Sequence, residues 1–193
     1  DAIAVALLSR LSDLAPVCFV NGNHEMCVER HQPERYQKFM DDLKNGGVQI
    51  LHNETAWFWI DGEKVAVTGY ELPWEYYRRF SRRHPSVVGM ERSIGKRKQD
   101  AYQILLTHNP VFFEEYAAWG ADFTFAGHLH GGFIRLPYFG GVISPQFQLF
   151  PKYDHGLYQM DTSSMVVGAG MGNHSGLFRI NNPTEIVTVR IKR

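Results

Sequence analysis

A layered α/β fold is predicted for this 193-residue chain on three observations. Helical and extended segments alternate along its length. Three short apolar strands each run directly into a polar turn that carries histidine. The composition, 44% hydrophobic with 13% aromatic and 21% charged residues, suits one domain with a sizeable core and excludes intrinsic disorder. No apolar run approaches the roughly 18–20 residues that span a bilayer. With 20 basic against 20 acidic residues, a surface given over wholly to nucleic acid is also excluded.

The elements run in order along the chain. Residues 2–14 predict a helix already in progress at Asp1; with no initiator Met and no cleavage-site pattern, the chain is expected to be the C-terminal portion of a longer protein. A strand is expected at 16–20, then a Gly/Asn turn at 21–25. A helix over 33–45 ends at Gly46-Gly47. Extended segments come next at 48–51, 55–60 and 64–68, the last two joined by the hairpin signal Asp61-Gly62. Residues 71–102 are highly charged and carry no clear period. A strand at 104–106, a helix near 111–119 and a strand at 123–126 succeed them. Further strands are expected near 157–161, 164–169 and 185–191. Only Cys18 and Cys27 are present, which excludes a disulfide framework; Cys18 sits in an apolar run as a small hydrophobe.

Chemistry concentrates where strands end. Val17–Val20 runs into Asn21-Gly22-Asn23-His24-Glu25, 104–106 into Thr107-His108-Asn109-Pro110, and 123–126 into Gly127-His128-Leu129-His130-Gly131-Gly132. Layered α/β sheets bind ligands outside the carboxyl ends of their strands, so three such turns point to one shared site. His128 and His130 can serve two neighbouring ions or one from adjacent corners, and their flanking glycines permit positive φ. Asn23 with His108 and His128 makes a mixed N/O set for a borderline divalent metal. His24 suits a general acid toward a leaving alkoxide; Glu25 either orients it or caps the next turn.

These three elements, in this order and spacing, resemble the calcineurin-like metallophosphoesterases, over about residues 16–135. Gly131-Gly132 with Arg135-Leu136-Pro137, and the tail Arg179-Ile180-Asn181-Asn182-Pro183, look more narrowly like the family's bacterial, often membrane-tethered phosphodiesterase branch. The resemblance implies a sandwich of two mixed β-sheets flanked by helices, in α-β-β-α layers. It implies two divalent ions (Mn, Zn or Fe), with Asn23, His108 and His128 on one, His130 on the other and His24 catalytic. It further implies a phosphoester substrate, lipid- or nucleotide-linked, and a membrane or cell-envelope location, with no protein partner. The family's Asp-x-His and Gly-Asp-x-x-Asp/Asn elements, which supply the remaining ligands, are absent from these residues. An alternative is therefore a non-catalytic binding module on the same scaffold.

Between residues 78 and 98 eight basic residues face a single Glu91, a local charge of +7. Such a run reads as a solvated face or as an attractor of anionic phosphoesters, of an anionic membrane surface or of single-stranded nucleic acid. His31, His52 and Asp154-His155 are expected to be surface or structural, with His174 the exception to watch. Trp57, Trp59, Phe112, Phe113 and Trp119 are expected to pack in the core or on the hairpin.

Overall fold

Apolar residues at helical spacing open the chain. Val5 and Leu8 of α1 (Ala2–Ser12) turn toward the core. A computed structural model describes residues 1–78, 83–132, 134–136, 140–143, 149–172 and 179–191. After β1 (Cys18–Phe19) come α2 (Asn23–His31) and α3 (Pro33–Asn45), the latter started by proline in its first turn and stopped at Gly46. β2 (Gln49–Ile50) pairs in parallel with β1. The hairpin of β3 (Thr55–Ile60) and β4 (Glu63–Tyr70) turns on Asp61 and Gly62, both at positive φ (51° and 83°), as a type I′ turn requires.

A 3₁₀ turn at Trp74–Tyr77 and α4 (Val87–Ile94) fill the stretch whose pattern is silent in sequence. Then come β5 (Tyr102–Thr107), a 3₁₀ turn at Pro110–Phe112, α5 (Phe113–Trp119) and β6 (Phe123–Ala126). The small ribbon of β7 (Arg135–Leu136) and β8 (Gly140–Gly141) and the hairpin of β9 (Gly156–Met160) and β10 (Ser163–Val167) complete the elements.

Six strands make one mixed sheet in the order β3-β4-β5-β6-β10-β9, with β4, β5, β6 and β10 parallel. Alternation along β5 separates two faces. Leu105 lies under α4 and α5, packed with Tyr70, Met90, Ile94, Tyr116 and Trp119. Ile104 and Leu106 face the other way, meeting Cys18, Val20 and Leu51 of the β1–β2 layer. The far side of β1–β2 is covered by α1 and α3 through Tyr36, Met40, Leu43, Phe19 and Ile50. The result is the expected α-β-β-α layering, its second sheet represented among the described residues by two parallel strands. The two layers approach closely at Gly69: a Cβ there would lie 2.3 Å from the Leu51 carbonyl oxygen.

Three expectations need correction. Residues 21–25 are not simply a turn, because Asn23 already opens α2. The segment 185–191 forms no strand; it lies beside the face of β6, β10 and β9 and helps line a cleft of about 610 Å³. Trp57 and Trp59 are exposed (45% and 72%). They sit on an edge strand where Lys64, 4.3 Å above the Trp57 ring, is the cover at hand. Phe112, Phe113 and Trp119 are buried as expected. His174 lies outside the described residues.

Candidate functional site at the carboxyl ends of the strands

Four parallel strands of the large sheet, and β1 beside them, end on one side. Polar groups lie beyond each carboxyl end: Asn21 to Glu25 after β1, Glu71 after β4, His108 after β5, His128 and His130 after β6, and the Ala169 carbonyl after β10.

The β1 end is organised by a one-way cap. Gly22 is the N-cap of α2, and Glu25 reaches back so that its Oε2 accepts the Gly22 N–H at 2.8 Å. Glu25 thus caps, one of the two roles its position allowed. The cap presents Asn23 and the exposed His24 on the first helical turn. Gly22 also lies flat against His108: a Cβ on it would meet three ring carbons of that imidazole at 2.9 Å.

His108 comes directly after β5 and is held there by its neighbour. Asn109 accepts the Val111 N–H through its side chain, and its carbonyl accepts the Tyr116 hydroxyl at 2.7 Å. Burial pushes His108 down to about 4, and the neighbouring charges of His130 and His24 add to the shift. His108 is therefore a neutral imidazole with a lone pair to offer. The rings of His108 and His128 stand 5.0 Å apart, edge to face. His128 Nδ1 lies 3.1 Å from Asn23 Oδ1. Tyr77 closes over both rings, at 6.1 Å from His108 and 5.2 Å from His128. Burial, with Glu71 and Glu25 adding, raises the Tyr77 phenol, so it stays neutral.

The turn after β6 is unusual backbone. His128 and His130 both take positive φ (64° and 50°), and Gly131 and Gly132 continue at 68° and 83°. Left-handed conformations cost non-glycine residues energy and persist only when surroundings enforce them. Leu129, fully buried between the two histidines, anchors the turn from below. The structure thus brings Asn23, His24, His108, His128 and His130, the complete set expected from sequence, to one end of the sheet.

The family model for calcineurin-like phosphoesterases matches residues 2–132, which include all five. The chain belongs to that family. Among similar proteins, an uncharacterized Bacillus subtilis protein, YpbG, is 30% identical over 65% of this chain and 42% of its own length. The phosphodiesterase YaeI of Escherichia coli is 23% identical over 96% of the chain and 62% of its own length. The UDP-2,3-diacylglucosamine pyrophosphatase LpxG of Chlamydia trachomatis is 25% identical over 77% and 43%. The chain therefore spans between about two fifths and three fifths of these relatives. No solved structure matches it.

Members of this calcineurin-like family generally use divalent metals, and the donor chemistry here fits such an ion in part. One amide oxygen (Asn23) and two imidazoles (His108, His128) are the N/O donors a borderline dication accepts. Yet among the described residues no three His, Cys, Asp or Glu side chains converge as a metal-holding group. None of the three named donors is a carboxylate, so these three alone do not balance a dication's charge.

Two further residues at this end escape sequence reasoning. Glu71 Oε1 accepts the Asn21 N–H at 3.0 Å and faces His52 Nδ1 at 2.9 Å, while the Glu71 N–H donates to Asn53 Oδ1. A fourth strand end bearing a carboxylate is the available signal, hidden because the sequence pattern places that strand's end at residue 68. Tyr77 has no signal beyond its aromatic neighbours. The basic stretch is divided in the structure. Arg97 is tied to Asp122 at the opposite end of the sheet, and Arg83 pairs with Glu75 at 3.1 Å. Arg78 directly succeeds Tyr77 at the histidine end, and Arg79 and Arg82 lie outside the described residues.

Proposed function

We propose that this chain carries one half of the active site of a divalent-metal-dependent phosphodiesterase. The observation that supports it most is the convergence of Asn23, His108 and His128 at the strand ends, with His24 and His130 close enough to act on the charge of His108. In this reading Asn23, His108 and His128 hold one ion and His130 contributes to a second. Mn, Zn and Fe all suit such donors. The bound ions supply charge neutralisation on the phosphoryl oxygens during in-line displacement. The chain's own groups do the rest. Tyr77 keeps water from the inner faces of His108 and His128, and neutral His108 leaves its lone pair available. Water forms a new P–O bond as the bond to the departing group breaks, and His24 donates a proton to the oxygen of that group. The carboxylates of the Asp-x-His and Gly-Asp-x-x-Asp type come from elsewhere in a longer polypeptide.

The name of LpxG, and the exposed Trp74 three residues before Tyr77, favour a lipid-linked phosphoester approached at an anionic membrane surface. Arg78, next to Tyr77 at this end of the sheet, would attract such a surface. Among the described residues no helix is long and apolar enough to cross a membrane. The test is hydrolysis of an aryl phosphodiester by the full-length protein with Mn²⁺ or Zn²⁺. His24→Ala and His128→Ala should abolish turnover, and wild-type rates in both would refute the assignment. Absence of both metal uptake and turnover would favour the binding-module alternative, whereas two tightly held metals would contradict it.

A further inference from the structure

The left-handed turn 127–132 is held from the far end of the chain. Its internal hydrogen bonds are short-range, Leu129 N–H to the Gly127 carbonyl at 2.7 Å and Gly132 N–H to the Leu129 carbonyl at 2.8 Å. Neither fixes the carbonyls of His130 and Gly132. Both carbonyls are instead taken by one side chain: Asn182 Nδ2 donates to the His130 oxygen and, at 2.7 Å, to the Gly132 oxygen. Asn182 is 4% exposed. A primary amide carries two N–H donors on one atom, so a single Asn can bridge two carbonyls two residues apart. Asp has no donor to offer, and Ser has one. The fit is close, since a Cβ on Gly131 would lie 2.9 Å from Asn182 Oδ1.

The tail is itself secured. Ile180 bridges Ile134, and its carbonyl accepts the Arg135 N–H at 3.1 Å. Arg179 donates to the carbonyls of Ala169, at 2.8 Å, and Gly172. The same Ala169 carbonyl lies 3.3 Å from His130 Nδ1. Arg179 Nη2 lies 3.4 Å from the same nitrogen, so the tail packs against the His130 ring as well as against its backbone.

We propose that Asn182 is a positioning residue for the histidine turn: by bridging the His130 and Gly132 carbonyls it holds His128 and His130 in the left-handed conformations that turn both toward the shared site. The metal side of this proposal rests on the phosphodiesterase reading, but the conformational side does not. The experiment compares Asn182→Ala and Asn182→Asp with Ser163→Ala in the full-length protein. Ser163 is an equally buried control whose hydroxyl donates to the Ala121 carbonyl at 2.6 Å, at the other end of the sheet.

Two readouts are taken. Hydrogen exchange of the Leu129 and Gly132 amides in metal-free protein should quicken about tenfold or more in both Asn182 variants, as expected when buried carbonyls lose their donors. Co²⁺ affinity, titrated by its visible absorption, should weaken about 10–100-fold, the usual effect of removing a support behind metal ligands. Ser163→Ala should leave both unchanged even if it melts earlier. Unchanged exchange in the Asn182 variants overturns the proposal, as does faster exchange with wild-type Co²⁺ affinity. If wild-type protein takes up no Co²⁺, or His128→Ala binds it equally well, the phosphodiesterase reading fails while exchange still decides the clamp.

Discussion

Replacing Gly22 by alanine sets two effects of opposite sign against each other. Gly22 has φ −99° and ψ −173°, an extended conformation that alanine adopts without strain. By restricting the unfolded chain, the substitution should therefore stabilise by about 0.4–1 kcal/mol. Against this, the new Cβ would lie 2.9 Å from Cγ, Cδ2 and Cε1 of His108, where carbon atoms rest at about 3.5–4.0 Å. The ring must retreat, and it cannot do so freely because Tyr77 and His128 pack beside it. Overpacking of this kind costs about 1–3 kcal/mol, so the clash wins and a net loss of about 0.5–2 kcal/mol is expected. For a chain of this length that lowers the melting temperature by about 1–8 °C. Gly127→Ala is the matched comparison, since a Cβ there meets nothing within 4 Å; it should melt at or slightly above the wild-type temperature. Thermal unfolding of the two variants, with the His108 ring signals followed by NMR, makes the measurement. A Gly22→Ala protein that is as stable as Gly127→Ala, with His108 signals unmoved, would refute the packing of Gly22 against that imidazole.

Three further outcomes rest on the same geometry. Gly69→Ala should be far more damaging than Gly22→Ala, by about 3 kcal/mol or more, because the added carbon meets the backbone oxygen of Leu51 at 2.3 Å and Val20 Cγ1 at 2.7 Å; soluble yield and melting temperature report it. The depressed value of His108, about 4 against 6.5, means that the unfolded chain takes up a proton before the folded one does. Stability of the metal-free protein from this group is therefore complete above pH 6.5 and lost as pH falls toward 4. It amounts to about 3 kcal/mol, and His108→Gln should flatten that part of a stability–pH curve. Glu71→Ala strands the Asn21 N–H and should cost about 1–3 kcal/mol, whereas Glu71→Gln keeps an acceptor and should cost less; chemical denaturation of the pair distinguishes them.

Much of this architecture is written in local signals. Pro33 and Gly46-Gly47 bracket α3, and Asp61-Gly62 dictates a turn that only left-handed residues can make. All five expected site residues arrive at the strand ends because apolar runs that stop abruptly at histidine are strands emerging from a core. The hidden parts depend on partners distant in sequence or on context that no local pattern carries. Gly22-Asn23 reads as a turn, yet Glu25 three residues on is the capping signal for α2. The apolar alternation around 185–191 resembles a strand, but Ile186 is 78% exposed and no ladder forms. Trp57 and Trp59 depart from expectation because hydrophobicity says nothing about whether a strand lies at an edge. Glu71 meets Asn21 across 50 residues, a separation no local pattern encodes.

The parallel pairing of β4, β5, β6 and β10 also has a temporal meaning. Each parallel neighbour is reached only by a crossover, so contacts between them are distant in sequence and slow to form. The contact of His128 with Asn23 spans 105 residues and that of Asn182 with Gly132 spans 50, so both are of this non-local kind. We expect the site to be among the last parts of the domain to be assembled. Ligand capture at this end of the sheet would report that folding has finished, rather than help to start it.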